Sequence, residues 1–149
     1  MDDKDLEILK LVQSDARLTA EIIGYEIGLS APAVQKRLKK LRESGVIKKE
    51  IAVLSSSKLD RGMTVIVGVV LERESSSNLD LFKRRMSDAR EVQQCYYATG
   101  QADFFLLVVV KNISEYEAFT KKYFFDESNV AHFTSSVVMD HVKVSLDVL

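Results

Sequence analysis

Gly28-Leu29-Ser30-Ala31-Pro32-Ala33-Val34-Gln35-Lys36-Arg37-Leu38-Lys39-Lys40-Leu41-Arg42 reads as a tight turn followed by a short, basic, amphipathic helix. At about 100° per residue, Val34, Leu38 and Leu41 fall on one face and point into a small core. Pro32, Lys36, Lys39 and Lys40 occupy the opposite face, with Ala33 and Gln35 at its edges. A second apolar helical run, from Thr19 to Ile27, stands directly before the turn. Helix, Gly-containing turn and basic helix in that order make a helix-turn-helix, and its natural partner is double-stranded DNA.

The N-terminal turn of such a helix enters the major groove first. Ser30, Ala31, Ala33, Gln35 and Lys36 are therefore the candidates for base contact. Gln35 suits an adenine edge, and an alanine methyl suits a thymine methyl. Arg37, Lys39 and Lys40 read as phosphate contacts, which hold register without reading sequence. A lysine-rich face on an isolated helix is usually only a solvated face. The adjoining helix, the Gly28 turn, Pro32 and the expected wing favour the DNA reading here.

Upstream, Leu6, Leu9 and Val12 recur at helical spacing and place a first helix over residues 4–14, with an acidic first turn. Thr19 suits the cap of the second helix, and Gly28 is placed to end it with positive φ. Ser30 can cap the third helix, where Pro32 is tolerated in the first turn. Ser44-Gly45 closes that helix and Val46-Ile47 follow the cap. Lys48 to Leu54 is strand-like and is expected as a small wing. Residues 1–52 thus read as a winged helix-turn-helix, 53–61 as a linker strand carrying the Ser55-Ser56-Ser57 run, and 62–149 as a second domain.

In that second domain, Met63 to Leu71 is β-branched and uncharged, hence a strand. Leu79 to Met86 is an amphipathic helix, Glu91 to Thr99 a strand, Gly100-Gln101-Ala102 a turn, and Asp103 to Val110 a strand. Ser114 with Glu117 matches a capping box that opens a helix to about Phe125. Val130 to Met139 is a last strand, and Val142 to Leu149 an extended tail. The order β-α-β-β-α-β is the ferredoxin-like arrangement, and the whole chain is α+β. Both faces of Met63–Leu71 and of Phe104–Val110 are apolar, although only one can pack on the helices. The other face calls for a second sheet, so a homodimer is expected.

The formal net charge is −1, so bulk positive charge does not draw this chain to nucleic acid. The basic residues are local instead: Lys36, Arg37, Lys39, Lys40, Arg42, Lys48 and Lys49 stand against Glu43 alone. A local basic face implies a contact that is weak per subunit and strengthened by assembly. The single cysteine, Cys95, cannot form an internal disulfide, and with only His132 and His141 it makes no zinc motif. It reads as a small buried side chain in a strand. No metal and no cofactor are expected. No apolar run approaches the roughly 18–20 residues needed to cross a bilayer. The acidic start, Met1-Asp2-Asp3-Lys4-Asp5, does not read as a signal or transit peptide, so a cytoplasmic location is expected.

The two halves together resemble the Lrp/AsnC family of transcriptional regulators, over nearly the whole chain. The resemblance is carried by Asp5-Leu6-Glu7-Ile8-Leu9, Asp15-Ala16-Arg17, Gly28-Leu29-Ser30, Val34 to Leu41, Gly45-Val46-Ile47, Glu91 to Cys95, Gly100 to Asp103 and Val137 to Lys143. It implies a winged helix-turn-helix joined by a strand to a βαββαβ effector domain. It further implies dimers through the sheets, higher assembly, commonly to octamers, and an amino-acid effector held between dimers. By resemblance the effector site takes in Tyr97, Thr99, Gly100, Gln101, Ala102 and Asp103 around the turn, with Ile113, Ser135, Ser136 and Val137. Turn N–H groups can hold a carboxylate there, and Asp103 can accept from an α-ammonium group. Gln101 replaces a frequent aspartate of the family, and Phe133 a frequent threonine.

The leading function is thus a sequence-specific, metabolite-responsive DNA-binding regulator. A ligand-independent architectural protein that bends DNA is the alternative. Some haem-pathway decarboxylases look like this family, and His132 or His141 would then serve as haem-related or acid/base groups. No nucleophile–base constellation or phosphate loop accompanies them, so an enzyme is not expected.

Overall fold

The computed structural model describes residues 1–72, 76–125 and 129–149. Contacts divide the chain into two units, Met1–Val53 with Lys143–Leu149, and Leu54–Val142. Residues 143–149, expected in the second domain, group by contact with the first.

The first unit holds three helices: α1 (Asp3–Ser14), α2 (Ala20–Ile27) and α3 (Ala31–Glu43). Ile8, Leu9, Ile23, Ile27, Val34, Leu38 and Leu41 form its buried core, with Leu11, Val12, Leu18 and Ile47 packed against it. The apolar stripe of α3 is therefore buried as the helical spacing requires. Helix α1 opens on a reciprocal cap: Asp2 Oδ1 accepts from the Asp5 N–H (2.9 Å), and Asp5 Oδ2 accepts from the Asp2 N–H (3.0 Å). Lys4 Nζ donates to the Ile27 carbonyl (2.7 Å), tying α1 to the C-terminal end of α2. Thr19 caps α2, accepting from the Ile22 N–H, and Gly28 ends it at φ +70°.

Two local expectations change. Ser30 stands at the N-cap of α3, but its side chain makes no cap hydrogen bond. Residues 48–54 form no strand, and Ile51, Val53 and Leu54 are exposed. A strand is stabilised by a ladder partner, and a lone strand-like segment with none stays irregular. At the far end of the chain, the Gln13 side chain accepts from the Val148 N–H (2.7 Å) and donates to the Leu149 carbonyl (3.1 Å).

The second unit is a four-stranded antiparallel sheet in the order β2-β3-β1-β4, formed by β1 (Met63–Leu71), β2 (Val92–Tyr97), β3 (Phe104–Val110) and β4 (Val130–Val137). Helices α4 (Ser76–Asp88) and α5 (Ile113–Thr120) follow β1 and β3 and complete the βαββαβ arrangement. Val65, Val67, Val69, Phe104, Leu106, Val108 and Val110 face the helices and are essentially inaccessible. Phe82, Met86, Tyr116, Phe119, Tyr123 and Phe124 close over them. Helix α5 starts two residues earlier than the sequence pattern indicates. Asn112, not Ser114, is its N-cap, accepting from the Glu115 N–H (3.0 Å), while Glu115 accepts from the Lys111 N–H (2.5 Å). This register turns Tyr116 and Phe119 into the core. The last turn, Lys121–Phe125, widens to π geometry, which buries Tyr123 and Phe124 together.

The second face of the sheet carries no helix. Ile66 and Phe105 are exposed there, Leu107 and Val109 half-buried, and Tyr96 lies beside Phe105. No helix of the described residues is long and apolar enough to cross a membrane.

Candidate nucleic-acid interface and ligand site

On α3 the buried stripe fixes which way the opposite face points. Pro32, Gln35, Lys36, Lys39 and Lys40 are exposed, as is Ser30, while Ala31 and Ala33 are half-buried at the edge. The first turn thus offers small and amide side chains, and the following turns offer ammonium groups. Lys39 lies 3.8 Å from Glu43, an exposed i,i+4 pair of little strength. Lys36 and Lys40 have no ion-pair partner among the described residues, so their charge is available to a phosphate.

Arg37 differs from its neighbours. Its Nη1 donates to both carboxylate oxygens of Asp2 (2.8 Å each) and to Asp5 Oδ1 (2.7 Å). Asp5 is buried. The guanidinium holds the Asp2 carboxyl below its ordinary range. The Asp2 N–H and then the guanidinium do the same for Asp5. Arg42 is also paired, with Glu50 (2.8 Å). Of the phosphate candidates, Lys39 and Lys40 point outward; Arg37 is engaged inside the unit.

Gly24 was not singled out by the sequence reading. A Cβ at this position would stand 2.4 Å from the Leu29 carbonyl oxygen. The Leu29 N–H donates to the Gly24 carbonyl (2.9 Å). The turn between α2 and α3 therefore closes directly on the bare face of this glycine. The available signal was a glycine inside an otherwise apolar helix, a costly residue unless something needs its space.

In the second unit, the turn from Thr99 to Asp103 is fixed from inside. Asp103 Oδ2 accepts from the Leu71 N–H (2.8 Å), its N–H donates to the Val69 carbonyl (2.9 Å), and its carbonyl accepts from Ala98 (3.0 Å). One carboxylate oxygen of the expected ammonium acceptor is thus already used in holding the turn. Gly100 has φ +125°, a conformation that L side chains rarely adopt. Gln101 and Thr99 are exposed, and Ala102 is buried close to the space above Gly68. Tyr97 packs on Phe104 (5.1 Å between centroids), and Lys83 Nζ lies 5.0 Å from its ring.

Ile113 and Val137 lie toward the other end of the sheet, while Ser135 and Ser136 pair with Val67 and Ile66 nearer its middle. Val137 pairs with Val65 at the start of β1, whereas the turn adjoins Val69 and Leu71 at its end. Ile113 and the turn are separated by the length of β3, about 20 Å at ~3.3 Å per residue. One chain does not bring the two groups into a single pocket. Within the second group the directions also differ. Ser135 Oγ meets the Tyr116 hydroxyl (2.6 Å) on the helix side, while Ser136 pairs with the outward-facing Ile66. Burial, offset slightly by that bond, pushes the Tyr116 phenol up.

The remaining candidates take structural positions. Phe133 packs on Phe124 (4.7 Å) and Phe125 (5.7 Å) against the core, not at the turn. Cys95 is half-buried on β2, and burial pushes its thiol up. His141 Nε2 lies 3.2 Å from Thr64 Oγ1, and His132 is exposed on β4. No group of three His, Cys, Asp or Glu able to hold a metal occurs among the described residues.

A helix-turn-helix joined to a ferredoxin-like sheet unit defines a two-part regulator, one part for DNA and one for a ligand. An AsnC-type helix-turn-helix model matches residues 1–42, and an Lrp/AsnC ligand-binding-domain model matches residues 64–148. The chain belongs to the Lrp/AsnC family of transcriptional regulators. An uncharacterized HTH-type transcriptional regulator of Sinorhizobium fredii is 42% identical, covering 99% of this chain and 88% of the relative. The crystal structure of an AsnC-family regulator from Agrobacterium tumefaciens is 30% identical with a TM-score of 0.94, covering 100% of this chain and 97% of that one. A Neisseria meningitidis transcriptional regulator solved as its L-Met complex has the same fold (TM-score 0.94, 23% identity, 100% and 96% covered).

Proposed function

We propose that this regulator reads double-stranded DNA in a sequence-specific manner through α3, and that an amino acid or related metabolite adjusts its assembly. The observation that carries the DNA reading is the outward face of Lys36 and Lys40, which have no ion-pair partner among the described residues, fixed by the buried Val34, Leu38 and Leu41. Ser30, Ala31, Ala33, Gln35 and Lys36 contact bases; Lys39 and Lys40 hold phosphates. The uncovered apolar sheet face supports a homodimer, and the family supports further assembly, with an octamer as the expected end state. It acts in the cytoplasm and not as an enzyme, in keeping with relatives named as transcriptional regulators.

The separation of the turn from Ile113 and Ser136 supports a ligand site shared between copies. The turn of one copy meets the far sheet end of another, so ligand and assembly are coupled through their shared contacts. The L-Met complex of the Neisseria neighbour supports an amino-acid ligand class. The domain limits we use are 1–52, 53–61 and 62–149.

The test is binding of fluorescent duplex DNA as a function of salt. Lys39→Ala with Lys40→Ala lowers the slope of log Kd against log salt by about 1.8 for two lost phosphate contacts. An unchanged slope refutes the interface. Thermal shift with a panel of amino acids, repeated with DNA present, tests the effector. No response to any of them favours the ligand-independent architectural alternative.

A further inference from the structure

We infer that Arg37, although it lies on the basic helix, is a positioning residue that locks α3 to the start of α1 and touches no phosphate. The inference rests on the DNA reading of α3. Three observations carry it. The guanidinium is only partly exposed, and one nitrogen is shared by two carboxylates at 2.7–2.8 Å. Asp5 is buried and already accepts the Asp2 N–H, so a departing Arg37 would strand a buried carboxylate without its cation. And Asp2 brings its own negative charge to the margin of the DNA-facing surface, where a phosphate drawn to Arg37 would meet it.

The geometry gives the cluster a mechanical role. Asp2 and Asp5 are joined by their reciprocal cap, so they move with α1 as one piece. Arg37 lies midway along α3, between Val34 and Leu41 of the buried stripe. Holding it fixes the rotation of α3 about its axis, and therefore the direction in which Gln35, Lys36 and Lys40 point. The planar guanidinium can serve two carboxylates from one side chain; a lysine ammonium on a flexible stem does not fix orientation in the same way. The charge sum of the cluster is acidic, so the basic row beside it begins at Lys36 and not at Arg37. The reading helix thus carries two kinds of cation, told apart by their partners and not by their place in the sequence.

The experiment uses the full chain and a random-sequence duplex of about 30 base pairs, with binding measured from 50 to 200 mM salt. Arg37→Gln is expected to shift the whole line of log Kd against log salt upward, leaving its slope unchanged, while lowering the melting midpoint by about 4 °C or more. A slope that falls by about 0.9, as for one lost phosphate contact, overturns the inference. Should Arg37→Gln fail to fold, Arg37→Lys decides: it keeps the charge, so a lowered midpoint supports the locking role and an unchanged midpoint overturns it. Lys40→Ala is the internal reference. If the parent chain binds no duplex, or Lys40→Ala leaves the slope untouched, the DNA reading itself has failed; if both behave and Arg37→Gln loses slope, only the positioning role has.

Discussion

Replacing Gly24 by alanine separates two opposite expectations. An ordinary helical glycine is improved by alanine, by about 1 kcal/mol. Gly24 is not ordinary, because the added Cβ would stand 2.4 Å from the Leu29 carbonyl oxygen and 3.4 Å from its carbon. Ordinary contact begins at 3.4 Å, so the turn must retreat by about 1 Å. Both opposing atoms are backbone, and the Leu29 N–H is tied to the Gly24 carbonyl, so no side chain can swing aside. Overpacking of this kind costs about 1–3 kcal/mol, from which the propensity gain is subtracted. The net loss of about 0–2 kcal/mol corresponds to a drop of up to roughly 15 °C for a unit of this size. Circular dichroism at the helix band, on the full chain, reads this directly. DNA affinity should fall as well, since the same turn sets the angle between α2 and α3. A midpoint that rises in Gly24→Ala refutes the steric argument.

Asp2 and Asp5 lie below the ordinary carboxylate range because the folded state favours their charged forms. Their contribution is present above the unfolded value near ~3.9 and is lost as pH falls through the lower folded values. An acid titration of helix content should therefore be shallower below about pH 4 for Asp2→Asn than for the parent, and coincident curves would count against the ion-pair cluster. Asn112→Ala should cost about 1 kcal/mol through the lost cap, while Ser114→Ala stays within about 0.5 kcal/mol; the reverse order, by urea denaturation, would restore Ser114 as the cap. Tyr116→Phe removes the bond to Ser135 and should lower stability by about 0.5–1.5 kcal/mol with the sheet unit still folded, and no loss would mean that water replaces the phenol at no cost.

Where one strong local signal acted alone, the sequence was sufficient. Met63–Leu71 is uncharged and mostly β-branched, with Arg61-Gly62 before it and Glu72 after it, and the strand has those limits. The stripe of Val34, Leu38 and Leu41 fixed the face of α3 because a three-helix core has no other use for it. Where two signals competed, pattern could not choose. Asn112 with Glu115 and Ser114 with Glu117 are both cap-like pairs, and the burial of Tyr116 and Phe119 decides between them. Residues 48–54 end in the strand-like run Ile51-Ala52-Val53-Leu54, but such a run describes a segment that can pair, not one that has a partner. The site was less legible than the fold. The solvent-facing positions of α3 followed from helical spacing, whereas Arg37 was placed with the phosphate contacts because its two carboxylates lie 32 and 35 residues away. Asp103 was read as a ligand group, and its bond to Leu71 spans 32 residues, beyond the reach of local pattern.

The core of the first unit is complete by Ile47, and none of its apolar members comes from later in the chain. During synthesis the three helices can pack while the sheet unit is still being translated. At ~5–20 residues per second, the interval between Ile47 and the end of β4 is roughly 5–20 s. For that time a nascent chain carries a folded reading helix and no surface through which to pair. On the proposed homodimer, two copies can combine their separate holds on DNA only after Val137 has emerged, and the order of the two units along the chain then delays tight binding until translation is nearly finished.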